Sequence, residues 1–432
     1  MERRKDRILL CLCHLSGNEQ KFVQEAFDTN WVVPLGPNVN GFEKDLEDFV
    51  NQNDNENEKL SKRVVALSAG TAAVHLALLN CGVGPGDEVC VQSFTFCASS
   101  HPITYLGATP IFIDSERDTW NMDPDLLEEA IKDRIAKTGK KPKAIVPVAL
   151  YGMPYKIDRI MEIANRYDIP LVEDAAEGFG SKFNGQMLGT FGKYGVLSFN
   201  GNKMITTSGG GALITENDDE WREIMMYATQ YRESYPYYQH EKIGYNYRMS
   251  NICAGIGRGQ MTIVNEHIAH HKKVQKMYEE LLAGVPGIKV HSQPETRNLE
   301  LGTPVYDSNY WLCTMTIDPD IKVKGQENAY KQVVTGAVGG AAGVIHVAES
   351  AHTDCEPNAN VEAMRMGLDA LSIESRPLWK PMHKQPVYKN APAYVNGVSE
   401  DLFKVGMCLP SGPYVTEDDI HFICEAIKSL IA

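Results

Sequence analysis

One lysine stands between two apolar segments that have the composition of buried strands. Lys203 follows "VLSFN" and precedes "MITTSGGGALI". A lysine in this place could be a solvated loop charge, a phosphate-gripping cation or an amine that bonds covalently to a ligand. Burial between strands favours the neutral form of an amine, which can condense with a carbonyl group to form a Schiff base.

The common nucleotide and hydrolase motifs do not account for Lys203. No window has the G-x-x-x-x-G-K-[ST] spacing of a Walker A loop, and "GTFGKYG" at 189–195 is wrongly spaced. The sequence has no clean G-x-G-x-x-G, so a dinucleotide site is unsupported. The stretch "TSGGG" lacks the G-x-S-x-G pattern of a hydrolase nucleophile. These mismatches favour the covalent amine.

Three further polar positions follow or end predicted strands. Asp174 ends the strand in "IPLVEDAA", Ser198 ends that in "YGVLSFN", and Gly70–Thr71 begin a helix after "VVALS". Ligands of open α/β sheets bind outside the carboxyl ends of the strands, so we expect these residues to lie together. The first amides of a helix also bind anions. Two structural interpretations stay open: Asp174 can cap the following helix, and Ser68 or Thr71 can cap the earlier one.

These residues together have the properties of a site for pyridoxal phosphate. This cofactor needs a lysine for its aldehyde, an acid for its ring nitrogen, an anion site for its phosphate and a flat neighbour for its ring. Lys203, Asp174 and the Gly70–Thr71 helix start with Ser198 meet the first three needs. An aromatic residue of "SFTFCAS" (93–99) meets the fourth.

The elements around these residues predict an α/β fold. Short apolar runs alternate with amphipathic helical patterns from about residue 60 to 215. This alternation is typical of a mostly parallel sheet with helices on both faces. The pattern changes after about residue 215. We therefore expect a large cofactor-binding α/β domain with an N-terminal arm at 1–265 and a smaller C-terminal α+β domain at 266–432.

Charge and cysteine usage narrow the class of protein. The net charge of −14, with 56 acidic residues against 42 Lys and Arg, argues against nucleic-acid and membrane partners. No stretch approaches the ~20 apolar residues of a membrane span. Ten cysteines without a Cys-x-x-Cys motif predict a reducing cytoplasm. Cys11, Cys13 and His14 suggest a metal clip, but the apolar run "ILLCLC" favours a packed strand, and we predict no metal.

The sequence resembles the DegT/StrS-type sugar-nucleotide aminotransferases, which are pyridoxal-phosphate enzymes of fold type I. The resemblance extends from residue 30 to nearly 390, in the family's order. The matching stretches are "NWVVPLGPNVNGFEKDLEDF", "LSAGTAAVHLAL", "PGDEV", "SFTF", "LVEDAAEGFGSKFNGQMLGTFG", "LSFNGNKMITTSGGGAL", "GYNYRMSN" and "RPLWKPMHKQPVY". The resemblance implies a large domain with a mostly parallel mixed sheet between helices, followed by the smaller C-terminal domain.

The resemblance implies a role for each matching position. Lys203 would hold the cofactor aldehyde as a Schiff base, Asp174 would pair with the ring nitrogen, and Glu177 would sit near the ring oxygen. Lys203 and Asp174 would be the catalytic pair. Gly70, Thr71 and Ser198 would hold the phosphate, and Phe96 would stack on the ring.

A second set of positions would lie toward the partner subunit or the substrate. Asn246 of "GYNYR" would reach the phosphate of the neighbouring subunit, which implies a homodimer with shared active sites. Asn30 and Trp31 of "NWVV", together with His383 of "KPMHKQP", look like substrate-side positions.

The implied reaction moves an amino group from L-glutamate to the C4 ketone of a nucleotide-linked 4-keto-6-deoxy sugar. The form "SFNGNK-ITTSGGG" is most similar to enzymes that aminate UDP-4-keto-6-deoxy-N-acetylglucosamine for surface glycans. Two alternatives are a pyridoxal-phosphate dehydratase or lyase on the same scaffold and a non-catalytic binding or regulatory relative. The family's dehydratases replace the lysine by histidine, so Lys203 speaks against the first. The intact set of Lys203, Asp174 and Ser198 speaks against the second.

Two departures from the family pattern stand out. Tyr310 in "DSNYWLC" takes the place of an arginine that the family often has, and an arginine would suit a pyrophosphate. The span from about 320 to 365 is longer than the family pattern predicts. Its possible metal ligands match no standard zinc spacing, so we expect a loop or edge insertion; they are His346, His352, Asp354 and Cys355.

Overall fold

The computed structural model describes residues 1–55, 58–330 and 355–431. The α-helices in these ranges are α1 (Glu19–Asp28), α2 (Pro37–Val50), α3 (Gly70–Asn80), α4 (His101–Tyr105), α5 (Pro124–Thr138), α6 (Ile157–Tyr167), α7 (Asp218–Ala228), α8 (Asn251–Met261), α9 (Val264–Leu281), α10 (Ala359–Ala370), α11 (Val398–Val405) and α12 (Glu417–Leu430). The strands are β1 (Arg63–Leu67), β2 (Glu88–Gln92), β3 (Thr109–Ile113), β4 (Ala144–Val146), β5 (Val172–Asp174), β6 (Lys182–Phe183), β7 (Gln186–Met187), β8 (Tyr194–Ser198), β9 (Gly211–Thr215), β10 (Ile288–Val290), β11 (Tyr306–Asp307), β12 (Cys313–Ile317), β13 (Arg376–Pro377), β14 (Ala393–Tyr394) and β15 (Gly406–Leu409).

Two four-stranded ladders meet to form the central sheet. Their orders are β1-β9-β8-β5 and β14-β3-β2-β4. Parallel bridges from Ile145 to Leu171 and from Val148 to Asp174 join β4 to β5. Every strand in this array runs in one direction except β9, which is antiparallel to β1 and β8. The predicted α/β class with a mostly parallel mixed sheet is confirmed.

Helices cover the sheet through narrow apolar stripes. In α6, Ile157, Ile160, Ile163 and Ala164 recur at helical spacing and are all buried, whereas Asp158 and Arg159 face outward. Asp123 caps α5 by accepting from the amides of Asp125 and Leu126. The strands between the helices are buried almost throughout, which explains their continuous apolar runs.

A second, antiparallel sheet forms in the C-terminal part of the chain. Its order is β10-β12-β15-β13, and it shares a core with α9, α10 and α12. The predicted long helix at 266–285 corresponds to α9, and the predicted final helix corresponds to α12. The division of the chain into domains at residue 265 stays a prediction.

One short C-terminal strand returns to the central sheet. β14 pairs in parallel with β3, through Ala393 with Phe112 and Tyr394 with Ile113. Directly after β3, the buried Asp114 accepts hydrogen bonds from the backbone amides of Asn396, Gly397 and Ser399, which follow β14, at 2.9–3.1 Å. Several amide donors stabilise a buried carboxylate, so these hydrogen bonds hold the segment after β14 against the end of β3.

The N-terminal apolar run does not form the strand that its composition predicts. Only Ile8 makes an isolated bridge, to Ile373. Leu10 instead donates its amide to Glu374 and accepts from the amide of Ser411, so side-chain and loop partners replace a ladder. In the span at 320–365, residues 331–354 lie outside the described ranges, and His346, His352 and Asp354 with them. Within the described ranges, no helix is both long enough and apolar enough to cross a membrane.

A buried histidine lies where α9 meets the loop before β12. His271 is 0 % exposed, and its Nδ1 lies 3.1 Å from the carbonyl oxygen of Tyr310. Burial, with a smaller contribution from His270 and His267, lowers the pKa of His271 from 6.5 to about 3. The folded protein therefore holds this ring neutral across the range in which the unfolded chain protonates it.

We predict that His271 makes the fold sensitive to mild acid. The unfolded chain binds a proton at this site below about pH 6.5, whereas the folded chain does not until about pH 3, so stability is lost as pH falls through this window. Between pH 7 and 5, His271→Leu should lose about 2 kcal/mol less of its unfolding free energy than the wild type. Urea unfolding at each pH measures this difference. The exposed His421→Leu should behave as wild type, and an equal loss in all three proteins would contradict the prediction.

Candidate active site

The carboxyl ends of four parallel strands surround one cavity of about 410 Å³. Ser68 follows β1, Thr95 follows β2, Asp174 ends β5 and Ser198 ends β8. Lys203, which lies in the loop between β8 and β9, also lines the cavity. The strand-end residues singled out in the sequence therefore do meet at one edge of the sheet.

Lys203 lies between a carboxylate and an indole ring. Its Nζ is 3.2 Å from Oε1 of Glu177 and 3.9 Å from the centre of the Trp311 ring. The lysine side chain is 13 % exposed and that of Glu177 is 3 % exposed. A carboxylate and an aromatic face both stabilise the ammonium form, the latter by up to about 2 kcal/mol when water is excluded.

Asp174 is fixed on both its backbone and its side chain. Its amide donates to the carbonyl of Pro147 at 2.9 Å, and its carbonyl accepts from the amide of Ala149 at 3.0 Å. Oδ2 accepts from the hydroxyl of Ser99 at 2.6 Å, and Oδ1 accepts from the amide of Ala176 at 3.1 Å. Burial raises the pKa of Asp174, while the Ser99 and Ala176 hydrogen bonds and the charge of Lys203 oppose the rise. A positively charged N–H is the partner that such a carboxylate favours.

Glu177 reaches the same cavity from the turn after β5. Its Oε2 accepts from the amide of Tyr151 at 2.7 Å. Tyr151 has φ +53°, in the left-handed region that side chains other than glycine rarely adopt, and this conformation directs its amide at the carboxylate. Burial raises the pKa of Glu177, and the nearby Lys203 and the Tyr151 amide oppose the rise.

The amino end of α3 forms the opposite end of the cavity. The N-cap residue is Ala69, whose methyl side chain cannot accept a hydrogen bond, so the interpretation of Ser68 or Thr71 as the cap is wrong. A Cβ atom added to Gly70 would lie 3.0 Å from Cβ of Ser198, and one added to Gly211 would collide with the backbone of Gly70. This close packing brings the amides at the helix start beside the Ser198 hydroxyl, which is a suitable arrangement for an anion.

Aromatic side chains form one wall of the cavity. Phe96 is 53 % exposed and packs at a ring distance of 5.5 Å on Trp379. Trp379 in turn lies 6.4 Å from Trp311, which is buried. Sequence reasoning selected Phe96 but missed Trp311, Trp379 and the serine that bonds Asp174. Trp379 stands in "RPLWKPMHKQPVY", a stretch that carries the family resemblance, and Trp311 follows Tyr310 in "DSNYWLC", where the sequence departs from the family pattern. These two stretches were the available signal.

Four other predicted site residues lie outside the lining of this cavity in the described part of the chain. Asn30 is exposed, and Trp31 is 39 % exposed. Asn246 is exposed and bridges to Thr229. His383 lies with Nδ1 2.6 Å from the hydroxyl oxygen of Ser93, and burial lowers its pKa.

Tyr310 also points away from the cavity. Its hydroxyl accepts from the amide of Gln293 at 3.2 Å, so this side chain packs between loops of the C-terminal part. Among the described residues, no group of three or more His, Cys, Asp and Glu side chains is placed to hold a metal ion. This includes the clip suggested by Cys11, Cys13 and His14.

The residues present fit pyridoxal phosphate. An anion-binding helix end with a serine, a buried carboxylate and a lysine line a single cavity, together with an exposed aromatic ring. The donor set suits a phosphate, a protonated ring nitrogen, an aldehyde and a planar ring, in that order. The glycines at 70 and 211 leave no room for side chains beside the anion-binding end.

Comparison with known proteins agrees with this arrangement. The model of the DegT/DnrJ/EryC1/StrS aminotransferase family matches residues 14–335 and 342–428. The chain is 39 % identical to a Bacillus subtilis protein that carries the provisional name pyridoxal phosphate-dependent aminotransferase EpsN, over 98 % of this chain and 96 % of that protein. It is 33 % identical to the GDP-perosamine synthase of Caulobacter vibrioides, over 98 % of each chain. The crystal structure of a DegT DnrJ EryC1 StrS aminotransferase from Brucella abortus superposes with a TM-score of 0.78 at 26 % identity, over 96 % of this chain and 95 % of that one.

We predict that Ser99 keeps Asp174 ionised. Removing the hydroxyl in Ser99→Ala takes away a donor that opposes the rise in the Asp174 pKa, so the carboxylate should become protonated at a higher pH. On acidification, the variant should therefore begin to lose affinity for pyridoxal phosphate at a higher pH than the wild type does. Fluorescence titration with the cofactor across pH 5–8 measures this.

The neighbouring serine provides the control for this measurement. Ser100 is equally buried, but its hydroxyl donates to the carbonyl of Cys97. Ser100→Ala should keep the wild-type pH dependence. If Ser99→Ala shows the same pH dependence as the wild type and Ser100→Ala, Ser99 does not control the ionisation of Asp174.

Proposed function

We propose a specific reaction for this chain, which belongs to the DegT/DnrJ/EryC1/StrS aminotransferase family and is a pyridoxal-phosphate-dependent sugar aminotransferase. The proposed reaction transfers the amino group of L-glutamate to the C4 ketone of a nucleotide-linked 4-keto-6-deoxy sugar. The single observation that carries the assignment of the site is the position of Lys203, within 3.2 Å of Glu177 in the cavity that Asp174 also lines.

The residues at the two ends of the cavity hold and orient the cofactor. Gly70, Thr71 and Ser198 would bind its phosphate through backbone amides and a hydroxyl, with the positive end of the α3 dipole behind them. Asp174 would accept a hydrogen bond from the ring N–H, and Phe96 would contact the ring face; both residues line the cavity. When bound, pyridoxal phosphate accepts an amino group from the donor, spreads the electron pair left by the departing proton into its ring, and passes the amino group to a ketone.

Lys203 supplies the amine that holds the cofactor aldehyde and then moves the proton. Once released by the incoming donor, its Nζ would take the proton from the donor Cα and would pass it to the former aldehyde carbon of the cofactor. Glu177 at 3.2 Å stabilises the ammonium that results. The hydrogen bonds from Ser99 and Ala176 favour the carboxylate form of Asp174, which would in turn favour a protonated ring nitrogen. The low exposure of these groups keeps water from competing for the proton.

UDP-4-keto-6-deoxy-N-acetylglucosamine is the acceptor that we propose first, in surface glycan biosynthesis. The support is the stretch "SFNGNK" around Lys203 and its similarity to enzymes of that substrate. A GDP-linked sugar is the second candidate, because GDP-perosamine synthases at 30–33 % identity match 96–98 % of this chain. A further relative acts, by its name, on a UDP-linked 3-oxo-glucuronate.

We also propose that the enzyme works as a homodimer in the cytoplasm. Asn246 is exposed and lies outside its own cavity, as the family resemblance requires of a residue that serves the neighbouring site. Within the segment 31–35, Trp31, Val32, Val33 and Leu35 are 39–52 % exposed, and such a run of apolar surface suits a second copy of the chain. All ten cysteines are free, which is typical of a reducing compartment.

The substrate assignment predicts the outcome of a panel assay. The enzyme is incubated with L-glutamate and with UDP-, GDP- and dTDP-linked 4-keto-6-deoxy sugars, and ¹⁵N transfer to the sugar is followed by mass spectrometry. We expect the UDP sugar to be aminated with the highest kcat/KM and Lys203→Ala to transfer no label. A preference for the GDP sugar would select the second candidate. Transfer to none of these sugars would contradict the proposed reaction.

The shared site predicts that two inactive chains restore each other. Lys203→Ala and Asn246→Ala proteins are each expected to lose most activity alone. In a mixed dimer, one site carries both substitutions and the other carries neither, so random re-association of equal amounts should recover about a quarter of wild-type activity. Lys193→Ala, whose lysine pairs with Glu220 away from the cavity, should be active alone. Mixtures that stay inactive, although mixed dimers are detected by native mass spectrometry, would exclude a contribution of Asn246 across the interface.

A further inference from the structure

Trp311 makes two separate contacts with the segment that carries Lys203. Its ring centre lies 3.9 Å from Nζ of the lysine, and its indole N–H donates to the carbonyl of Asn202 at 2.6 Å. Asn202 is the residue directly before Lys203. One side chain therefore touches both the amine and the backbone that presents it.

Trp311 is itself held rigidly. Its backbone amide donates to Oδ1 of Asn309 at 2.8 Å, and the side-chain amide of Asn309 donates to the carbonyls of Glu177 and Phe179 at 2.8 and 2.9 Å. The tryptophan is 2 % exposed. The loop before β12 is thus tied to the turn after β5 that carries Glu177, so the indole and the carboxylate keep a fixed separation around the lysine.

We propose that Trp311 is a positioning residue for Lys203, with its indole face stabilising the ammonium form of the amine between proton transfers. An amine that has taken a proton from the substrate needs a stable place for the charge, and here an aromatic face and Glu177 flank it. Glu177 alone would let the flexible lysine stem pivot about one contact. The second, directional contact fixes the position of Nζ in the cavity.

The contribution of the indole face should be visible as a shift in proton affinity. A desolvated cation over an indole changes the balance between the charged and neutral forms by about tenfold or somewhat more. Fluorine on the ring lowers its electron density and so reduces this attraction, while the indole keeps its N–H donor and nearly its size. The amine should then lose its proton at a lower pH.

Fluorinated tryptophans test this directly on the full-length chain stripped of cofactor. The protein is produced with tryptophan, or with its mono-, di- or trifluorinated analogues, and the rate of acetylation at Lys203 by trace acetic anhydride is measured against pH by peptide mass spectrometry. The pH midpoint of acetylation should fall stepwise with fluorine number, by about one pH unit in total. A midpoint that is independent of fluorination overturns the proposal.

Two variants identify which tryptophan is responsible. Trp311→Phe should abolish the dependence on fluorination, because Trp311 is the tryptophan whose ring faces the amine in the described part of the chain. Trp221→Phe should preserve it, although Trp221 has the same pair of contacts elsewhere: Arg63 lies 4.8 Å from its ring centre and its N–H donates to Val64. Dependence that persists in Trp311→Phe would also contradict the proposal.

The inference rests on the proposed role of Lys203, and a separate measurement tests that role. Borohydride reduction of the wild-type holoenzyme should leave the cofactor attached to the peptide that contains Lys203. An adduct on another lysine would reject the proposed function while leaving the Trp311 contact measurable. A fluorination-independent midpoint with the adduct on Lys203 would reject only the role of Trp311.

Discussion

The grouping of one lysine with two buried carboxyl groups in a single cavity is the constraint on which the site depends. Lys203 balances Glu177 at 3.2 Å and also opposes the rise in the pKa of Asp174. Burying any one of these charges alone would be costly, and each is tolerated because the others and the surrounding amide and hydroxyl donors are present. The sheet makes this possible, because β5 and β8 are adjacent parallel strands and end at the same edge.

One end of the cavity offers hydrogen-bond donors and the opposite wall is aromatic, and different elements of the fold supply the two. The amino end of α3 and Ser198 supply donors for an anion without adding a full positive charge to the site. The opposite wall is aromatic, with rings contributed by the loop after β2, the loop before β12 and the segment after β13. A ligand with a charged end and a flat ring is therefore bound in one orientation.

The sequence predicts most of the fold and the charged part of the site, because strand ends are visible as polar residues after apolar runs. Lys203, Asp174 and Gly70 were found in this way. Ser99 and Trp311 were not, because their contacts join positions 75 and 109 residues apart, and only the folded sheet sets those distances. The N-terminal run failed as a strand because Glu374 and Ser411, far along the chain, satisfy its backbone. The helix at residue 70 was open to two interpretations until its cap was seen to be an alanine.

The return of β14 to the central sheet has a consequence for how the chain can be divided. Ala393 and Tyr394 cover the edge of β3, and the carboxylate of Asp114 collects amides from Asn396 to Ser399. A fragment that ended at residue 265 would leave that edge open to other chains and would remove three amide donors from that carboxylate. The first part of the chain is thus not a self-sufficient folding unit, and during synthesis on the ribosome the main sheet is completed only after almost the whole polypeptide has emerged.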